Sequence, residues 1–315
     1  GCRNRTRFSF LKLLLPPFMN RIHYSQCPVC CSAAIDPLLT AKDHSVSKED
    51  FVLWQCRQCT LRFTQDVPDE ESIGRYYQSP NYISHSNTNK GLLNKLYQGV
   101  RRHTLNQKAK LIISHTKETG KILDIGAGIG AFISGMQQRG WEITGIEPDP
   151  TARKNAQELF GLSLQQPEAL YKLPGGRCDA ITLWHVLEHV HQLHPYIARI
   201  KDLLGQNGKL FIAVPNYTSA DAAAYRNYWA AYDVPRHLYH FTPEAIAVLM
   251  QSHGLKVKAK KPMWFDSFYI SLLSSQYHRG KTSWIGAGLT GLKSNLTALL
   301  NNDRCSSLIY VVEKA

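Results

Sequence analysis

The chain has 315 residues, 43% of them hydrophobic and 19% charged, with a formal net charge of +13. That supports one large domain and a smaller one, and no apolar run approaches the ~20 residues of a membrane-spanning helix. Composition therefore predicts no membrane partner and leaves two partner classes in view, nucleic acid and a small anionic molecule.

Arg3, Arg5 and Arg7 precede an apolar stretch over 8–18, which Lys12 breaks and Pro16-Pro17 stops. The order has the outline of a signal peptide but lacks a small-residue cleavage site. With Met19 as a candidate start, residues 1–18 read as a leader or disordered tail. Four of the eight cysteines follow, as Cys27-Pro28-Val29-Cys30 and Cys56-Arg57-Gln58-Cys59. Two C-x-x-C knuckles each offer two sulfurs from one tight turn, and together they close a tetrahedron around zinc. Four thiolates leave no open position, so this zinc is structural, and it replaces the core that so short a segment cannot build. The reading is a zinc ribbon within an aromatic module over 19–90. Paired disulfides are the alternative, disfavoured in the reducing cytoplasm to which a thiol-rich chain points. Cys31 competes as a ligand beside the first knuckle, but Cys30 matches the spacing of the second pair. Tyr76-Tyr77 and Tyr82 follow, then a polar linker over 86–89. Residues 92–116 read as a long amphipathic helix with Leu93, Leu96, Val100, Leu105 and Leu111 near one face.

Next comes Ile122-Leu123-Asp124-Ile125-Gly126-Ala127-Gly128-Ile129-Gly130. An apolar run, alternate glycines and an amphipathic segment predict a buried strand, a tight turn and a helix over 130–139. Glycine permits the crowded backbone against which a ligand lies, and the helix start offers unpaired N–H groups. Gly126, Gly128 and Ala131 fit the dinucleotide pattern G-x-G-x-x-G/A, with Glu147 as a ribose partner. Asp124 favours S-adenosylmethionine (SAM) instead. A carboxylate at the strand end suits an ammonium and a sulfonium and repels a pyrophosphate.

Thr144-Gly145-Ile146-Glu147-Pro148-Asp149, the strand ending at Trp184-His185, and Asn207-Gly208 leading to Pro215-Asn216 complete a recognisable order. Over residues 105–315 this order resembles the class I SAM-dependent methyltransferases. The resemblance implies an α/β, Rossmann-like seven-stranded sheet in a domain over 91–315, with ligands at the carboxyl ends of its strands. The strands are expected over 121–125, 142–146, 162–165, 179–184, 208–214, 255–261 and 306–313. It also implies a cofactor site of Asp124, Gly126, Ala127, Gly128, Gly130, Phe132, Glu147, Pro148, Trp184 and His185, where Glu147 takes both ribose hydroxyls. Glu168 reads as a solvated residue. An insertion over 262–304, with Trp264-Phe265, Phe268-Tyr269 and Trp284, reads as a helical lid or substrate wall, with a packing or dimer element as the alternative.

Methyl transfer rewards alignment and desolvation, and a hydroxyl or acidic carbon also needs a base. Two histidine clusters offer one, His185-Val186-Leu187-Glu188-His189 and Pro235-Arg236-His237-Leu238-Tyr239-His240. The first spells the inverted zinc-protease motif H-x-x-E-H, which requires a continuous helix; here it follows a strand. A non-zinc metal joining His237 or His240 is a further alternative. His189 and His237 are the base candidates, with Glu188 orienting or sharing the proton. A Glu-His pair at this place does acid/base work in the zinc-module sugar C-methyltransferases that the chain also resembles. Arg236 is the candidate to grip a phosphate or carboxylate. The resulting reading is a SAM-dependent methyltransferase acting on an O, N or C nucleophile of a small metabolite, with sugar nucleotides among the acceptors. RNA methylation through the basic surface is the alternative. Against it, the charge sits in a tail and on a helix face, and no strand interleaves basic and aromatic residues.

Overall fold

The computed structural model describes residues 20–78 and 92–315, with side chains described from residue 99 in the first helix. The 1–18 tail, Tyr82, the 86–89 linker and the side chains of Leu93 and Leu96 lie outside the described residues.

The N-terminal region is built from strands β1 (Arg21–Ile22), β2 (Ile35–Lys42), β3 (Asp50–Cys56), β4 (Arg62–Thr64) and β5 (Val67–Pro68). In β3, Phe51 and Leu53 are buried while Val52 faces solvent, the period-two pattern of a strand covered on one face. The two knuckles repeat one turn. Cys31 N–H donates to Cys27 O and Thr60 N–H to Cys56 O, and Cys31 and Thr60 both adopt positive φ (59° and 61°).

The larger part follows as α1 (Leu92–Thr116), β6 (Lys121–Ile125), α2 (Ala131–Gln137), β7 (Glu142–Ile146), α3 (Pro150–Phe160), β8 (Cys178–Trp184), α4 (Leu193–Leu203) and β9 (Leu204–Pro215). It continues with α5 (Ala220–Tyr225), β10 (Tyr239–His240), α6 (Pro243–Ser252), β11 (Leu255–Pro262), α7 (Asp266–Arg279), α8 (Trp284–Leu300) and β12 (Ser307–Lys314). Sequence chemistry sets the helix limits. α3 starts at Asp149, whose carboxylate accepts from Thr151 N–H, with Pro150 in its first turn, and it stops at a left-handed Gly161. The central sheet runs β11-β12-β9-β8-β6-β7, with β6 to β9 parallel and β12 antiparallel to both of its neighbours. The buried stretches of β9 and β12 are near-continuous apolar runs, as strands covered on both faces require.

Among the described residues six strands form this sheet, not the seven expected. Residues 162–165 contribute a single bridge, Gln165 to Ile146, before Pro167 opens a 3-10 turn. Proline cannot donate to a ladder, so the segment does not extend into a strand. Glu168 is exposed, as expected.

The N-terminal region does not stand alone. Its sheet has the order β10-β4-β3-β2, so the larger part supplies one strand of it. Tyr24, Phe63, Leu238, Tyr239 and Ile246 share one buried cluster with the central strands. The core that so short a segment lacks is therefore borrowed from its neighbour. Among the described residues no helix is long and apolar enough to cross a membrane.

Candidate active site and cysteine centre

β6 delivers Asp124 and the glycine turn to the carboxyl edge of the sheet. Gly126 and Gly130 need to be glycine: both have positive φ, and a Cβ would sit 2.5 Å from Val186 Cγ2 and 2.9 Å from Leu162 Cδ1 respectively. Four amides of the turn are spent internally. Gly126 and Ala127 N–H donate to Ile146 O (2.8 and 3.0 Å), Gly130 N–H to Ala127 O (2.9 Å), and Gly128 N–H to Glu147 Oε2 (2.7 Å). Glu147 Oε1 accepts from Asp149 N–H, and Arg153 fixes the carbonyls of Glu147 and Pro148. A carboxylate thus occupies the turn in which a dinucleotide would need amides for its pyrophosphate. Each of its oxygens keeps a lone pair for a hydroxyl.

Asp124 is buried and accepts from Thr182 Oγ1 at 2.6 Å. Burial pushes its pKa up to about 7, with the Thr182 hydroxyl and the Lys108 charge opposing the rise. Lys108 Nζ lies 4.2 Å from the centre of the Trp184 ring, which also meets Phe132 edge-on at 5.4 Å. The structure therefore brings Asp124, the turn, Glu147 and the Phe132–Trp184 pair together, as the sequence suggests.

His185 has a second role there. It adopts φ 59°, and its ring spans Glu188 Oε1 (3.4 Å from Nδ1) and Asp266 Oδ2 (3.3 Å from Nε2). Burial works against its proton, but hydrogen bonding to Asp266 and Glu188 outweighs it and lifts the pKa to about 9. Asp266 opens α7, so this pair ties the insertion to the site. The H-x-x-E-H string is not a continuous helix: Leu187–His189 form one 3-10 turn after the strained His185.

Glu188, His189 and His237 converge, each offering a ligand atom within 4.8 Å of the others. Glu188 is 0% exposed, and the 3.4 Å contact with His185 Nδ1 is the close polar contact of its carboxylate among the described residues. Burial alone would raise its pKa, but the contact with His185 and the charges of the neighbouring histidines hold it below the usual carboxylate range. His189 Nδ1 donates to Arg236 O (3.0 Å) and also lies 3.1 Å from the Tyr77 hydroxyl, while His237 Nδ1 donates to Ala231 O (2.9 Å). These contacts assign the tautomers and leave both Nε2 atoms with a lone pair. Burial and the nearby His237 press His189 down to about 4. Such a trio can share a proton or hold a cation.

Arg236 does not serve a substrate. Its guanidinium is buried, donating from Nε and Nη2 to both oxygens of Asp233 (2.9 and 2.6 Å), from Nη2 to Asp43 (3.2 Å), and from Nη1 to Tyr76 O (2.8 Å). A buried guanidinium requires such internal partners, so the expectation of an anion grip is corrected. Thr64 reinforces the same loop, its hydroxyl donating to His237 O and its N–H to Leu238 O. His240 contacts Thr64 Oγ1 at 3.2 Å, and burial keeps its ring neutral.

Sequence reasoning missed Lys108, Asp266 and Asp43. Lys108 had left a signal. It lies three residues after Leu105 and four before Ile112, a charge on the buried face of α1. A cavity of about 560 Å³ lies between α1 and the start of α7, lined by Gln107, Lys108, Leu111, Lys261, Trp264 and Asp266 among others.

In the cysteine centre the sulfurs of Cys27, Cys30, Cys56 and Cys59 lie within 4.8 Å of one another, with Cys27–Cys59 and Cys30–Cys56 at 3.5 Å. A zinc tetrahedron with ~2.3 Å bonds has edges of ~3.8 Å, so four thiolates fit it. Cys31 is not among this group.

The family model described as "Methyltransferase domain" matches residues 97–260, which hold the glycine turn, Glu147 and both histidine clusters. The chain belongs to this methyltransferase family. A ubiquinone biosynthesis O-methyltransferase from Xanthomonas axonopodis pv. citri is 28% identical over 160 residues, covering 46% of this chain and 66% of that one. Another of that description from Pasteurella multocida is 36% identical over 115 residues, covering 31% and 47%. The chain thus spans less than two thirds of either relative. Magnesium protoporphyrin IX methyltransferase from Synechocystis PCC 6803, solved with S-adenosylhomocysteine, aligns with a TM-score of 0.50 at 12% identity over 78% of this chain and all of that one. It shares the Rossmann-like methyltransferase fold.

Proposed function

We propose that this methyltransferase uses SAM to methylate an oxygen of a small, anionic metabolite, with His237 as the proton acceptor. The observation that carries the reading is the carboxylate-filled glycine turn packed against Val186, two residues before Glu188. Bound there, SAM supplies an electrophilic methyl on a sulfonium. Glu147 holds the ribose hydroxyls through its remaining lone pairs, and Asp124 sets a negative charge against the cation. His237 Nε2 takes the acceptor's proton. Glu188 and Asp233, whose Oδ2 lies 4.0 Å from that nitrogen, stabilise the imidazolium. His189 stays neutral and fixes the geometry of the pair. Lys108, Lys110 and Lys261 at the cavity give it a positive lining that favours an anionic acceptor. Oxygen is chosen over nitrogen or carbon because the relatives above carry the name O-methyltransferase. We assign structural zinc to the four cysteines.

The test is transfer of isotopically labelled methyl from SAM into a metabolite extract. Wild type should label a small acid. His237→Ala should bind SAM with unchanged affinity and transfer ~10²-fold or more slowly. Normal turnover by His237→Ala removes it as the base, and calorimetric binding of NAD but not SAM rejects the whole reading.

A further inference from the structure

The insertion carries a feature that methyl transfer does not use. On α8, Ile285, Leu289, Leu292, Leu296 and Leu299 recur at spacings of four and three residues, which places them on one helix face. All five are exposed, Ile285 by 81%, and Leu300 beside them by 92%. The opposite face consists of small residues: Ala287, Gly291, Ser294 and Ala298 are buried. A Cβ at Gly291 would lie 2.7 Å from the Phe268 ring, so α8 rests on α7 by a close backbone contact. Rotating the helix to hide its leucines would drive them into that contact. The apolar stripe is therefore fixed outward, and a continuous exposed patch of this kind marks an interaction surface.

Charge indicates what covers it. Residues 267–302 contain no aspartate or glutamate, while Arg279, Lys281 and Lys293 stand in or beside α8. A second copy is a poor partner. Pairing two α8 helices brings together two copies of a segment that carries cations and no carboxylate over residues 267–302, so neither copy neutralises the other. An anionic bilayer surface meets both demands at once. The leucine stripe, with Trp284 at its end, enters the acyl boundary, and the cations meet lipid phosphates. We propose that α8 lies flat on an anionic phospholipid surface, docking this methyltransferase peripherally. The helix remains too short to span a bilayer. α8 is fastened beside the start of α7, where Trp264 and Asp266 line the cavity, by Asn295 Nδ2 donating to Trp264 O at 2.8 Å.

The test is cosedimentation of the full chain with vesicles of phosphatidylcholine alone and of equal parts phosphatidylcholine and phosphatidylglycerol. Binding to the mixed vesicles is expected, weakening with salt, and falling roughly tenfold or more on neutral vesicles. Leu292→Glu with Leu296→Glu should abolish it while leaving the unfolding temperature unchanged, since both side chains are already exposed. Failure to bind the mixed vesicles overturns the proposal, as does equal binding by the double variant. A concentration-dependent dimer in sedimentation velocity that the same substitutions dissolve also overturns it, and assigns the stripe to a second copy.

Discussion

Asp266→Asn tests the link between the insertion and the site. In the structure His185 is held between Asp266 and Glu188, and its pKa rises from an ordinary ~6.5 to about 9. Each unit corresponds to ~1.4 kcal/mol, so the shift has a face value of ~3 kcal/mol. The His185 side chain is 35% exposed, and solvent screening reduces this to ~1–2 kcal/mol. Glu188 persists in the variant, so asparagine should remove roughly half, ~1 kcal/mol, or ~2 °C in a chain of this size. The sign follows from the raised folded-state value. The stabilisation is complete below pH ~6.5 and is lost as pH rises through about 9. Thermal unfolding of the two proteins from pH 6 to pH 10 should therefore show a gap of ~2 °C at the acid end that closes by the alkaline end. The His185 ring protons in NMR should titrate near pH 9 in wild type and lower in the variant. A gap that stays constant or widens with pH, or a wild-type His185 that titrates near its ordinary value, refutes the ion-pair account.

Three further outcomes are expected. Glu147→Gln should weaken SAM binding by ~1–3 kcal/mol in calorimetry, the scale of a lost charge-assisted hydrogen bond; unchanged affinity would remove Glu147 from the ribose. Because burial lifts Asp124 to about 7, SAM affinity should rise as pH climbs through that value and the carboxylate ionises, with proton release on binding. Thr182→Ala, which deletes a donor to that carboxylate, should move the inflection to higher pH. Elemental analysis should find one zinc per wild-type chain and none in Cys56→Ser, and full metal retention by the variant would show that the four thiolates are not the site.

Local chemistry that must be carried out by one residue type at one place was legible before the structure. The glycines of the turn, Asp124, Glu147 and the paired knuckles announce themselves because only those residues meet the steric or ligand demand there. The parallel strands were equally plain, as buried apolar runs such as Leu210 to Val214. What escaped depends on contacts distant in sequence. Arg236 reads as an anion grip in sequence because Asp43, which engages its guanidinium, lies 193 residues away. Asp266 had no local pattern, and its role appears only when α7 meets His185. The 162–165 segment carries only a weak strand signal, and although β7 offers it a free edge it pairs at Gln165 alone before Pro167 turns the chain away.

The same long-range contacts connect the cysteine centre to the loop that carries His237, the proposed base. β4 follows the second knuckle directly and hydrogen-bonds β10, placing Thr64 on the backbone of His237 and Leu238. Leu238 N–H in turn donates to Glu188 O at 2.8 Å, so knuckle, base loop and 3-10 turn form one chain of backbone contacts. Asp43 adds a buried charge that Arg236 shares with Asp233. Truncating one member of such a set leaves a desolvated charge unpaired, at a cost of ~3–5 kcal/mol. Metal loss through Cys56→Ser should therefore do more than unfold a small appendage. It should release β4 from β10 and lower turnover through His237. SAM affinity, which we propose is carried by Asp124, the glycine turn and Glu147 on the far side of Val186, should survive. A zinc-free variant with full turnover would show that the module and the base loop are mechanically independent.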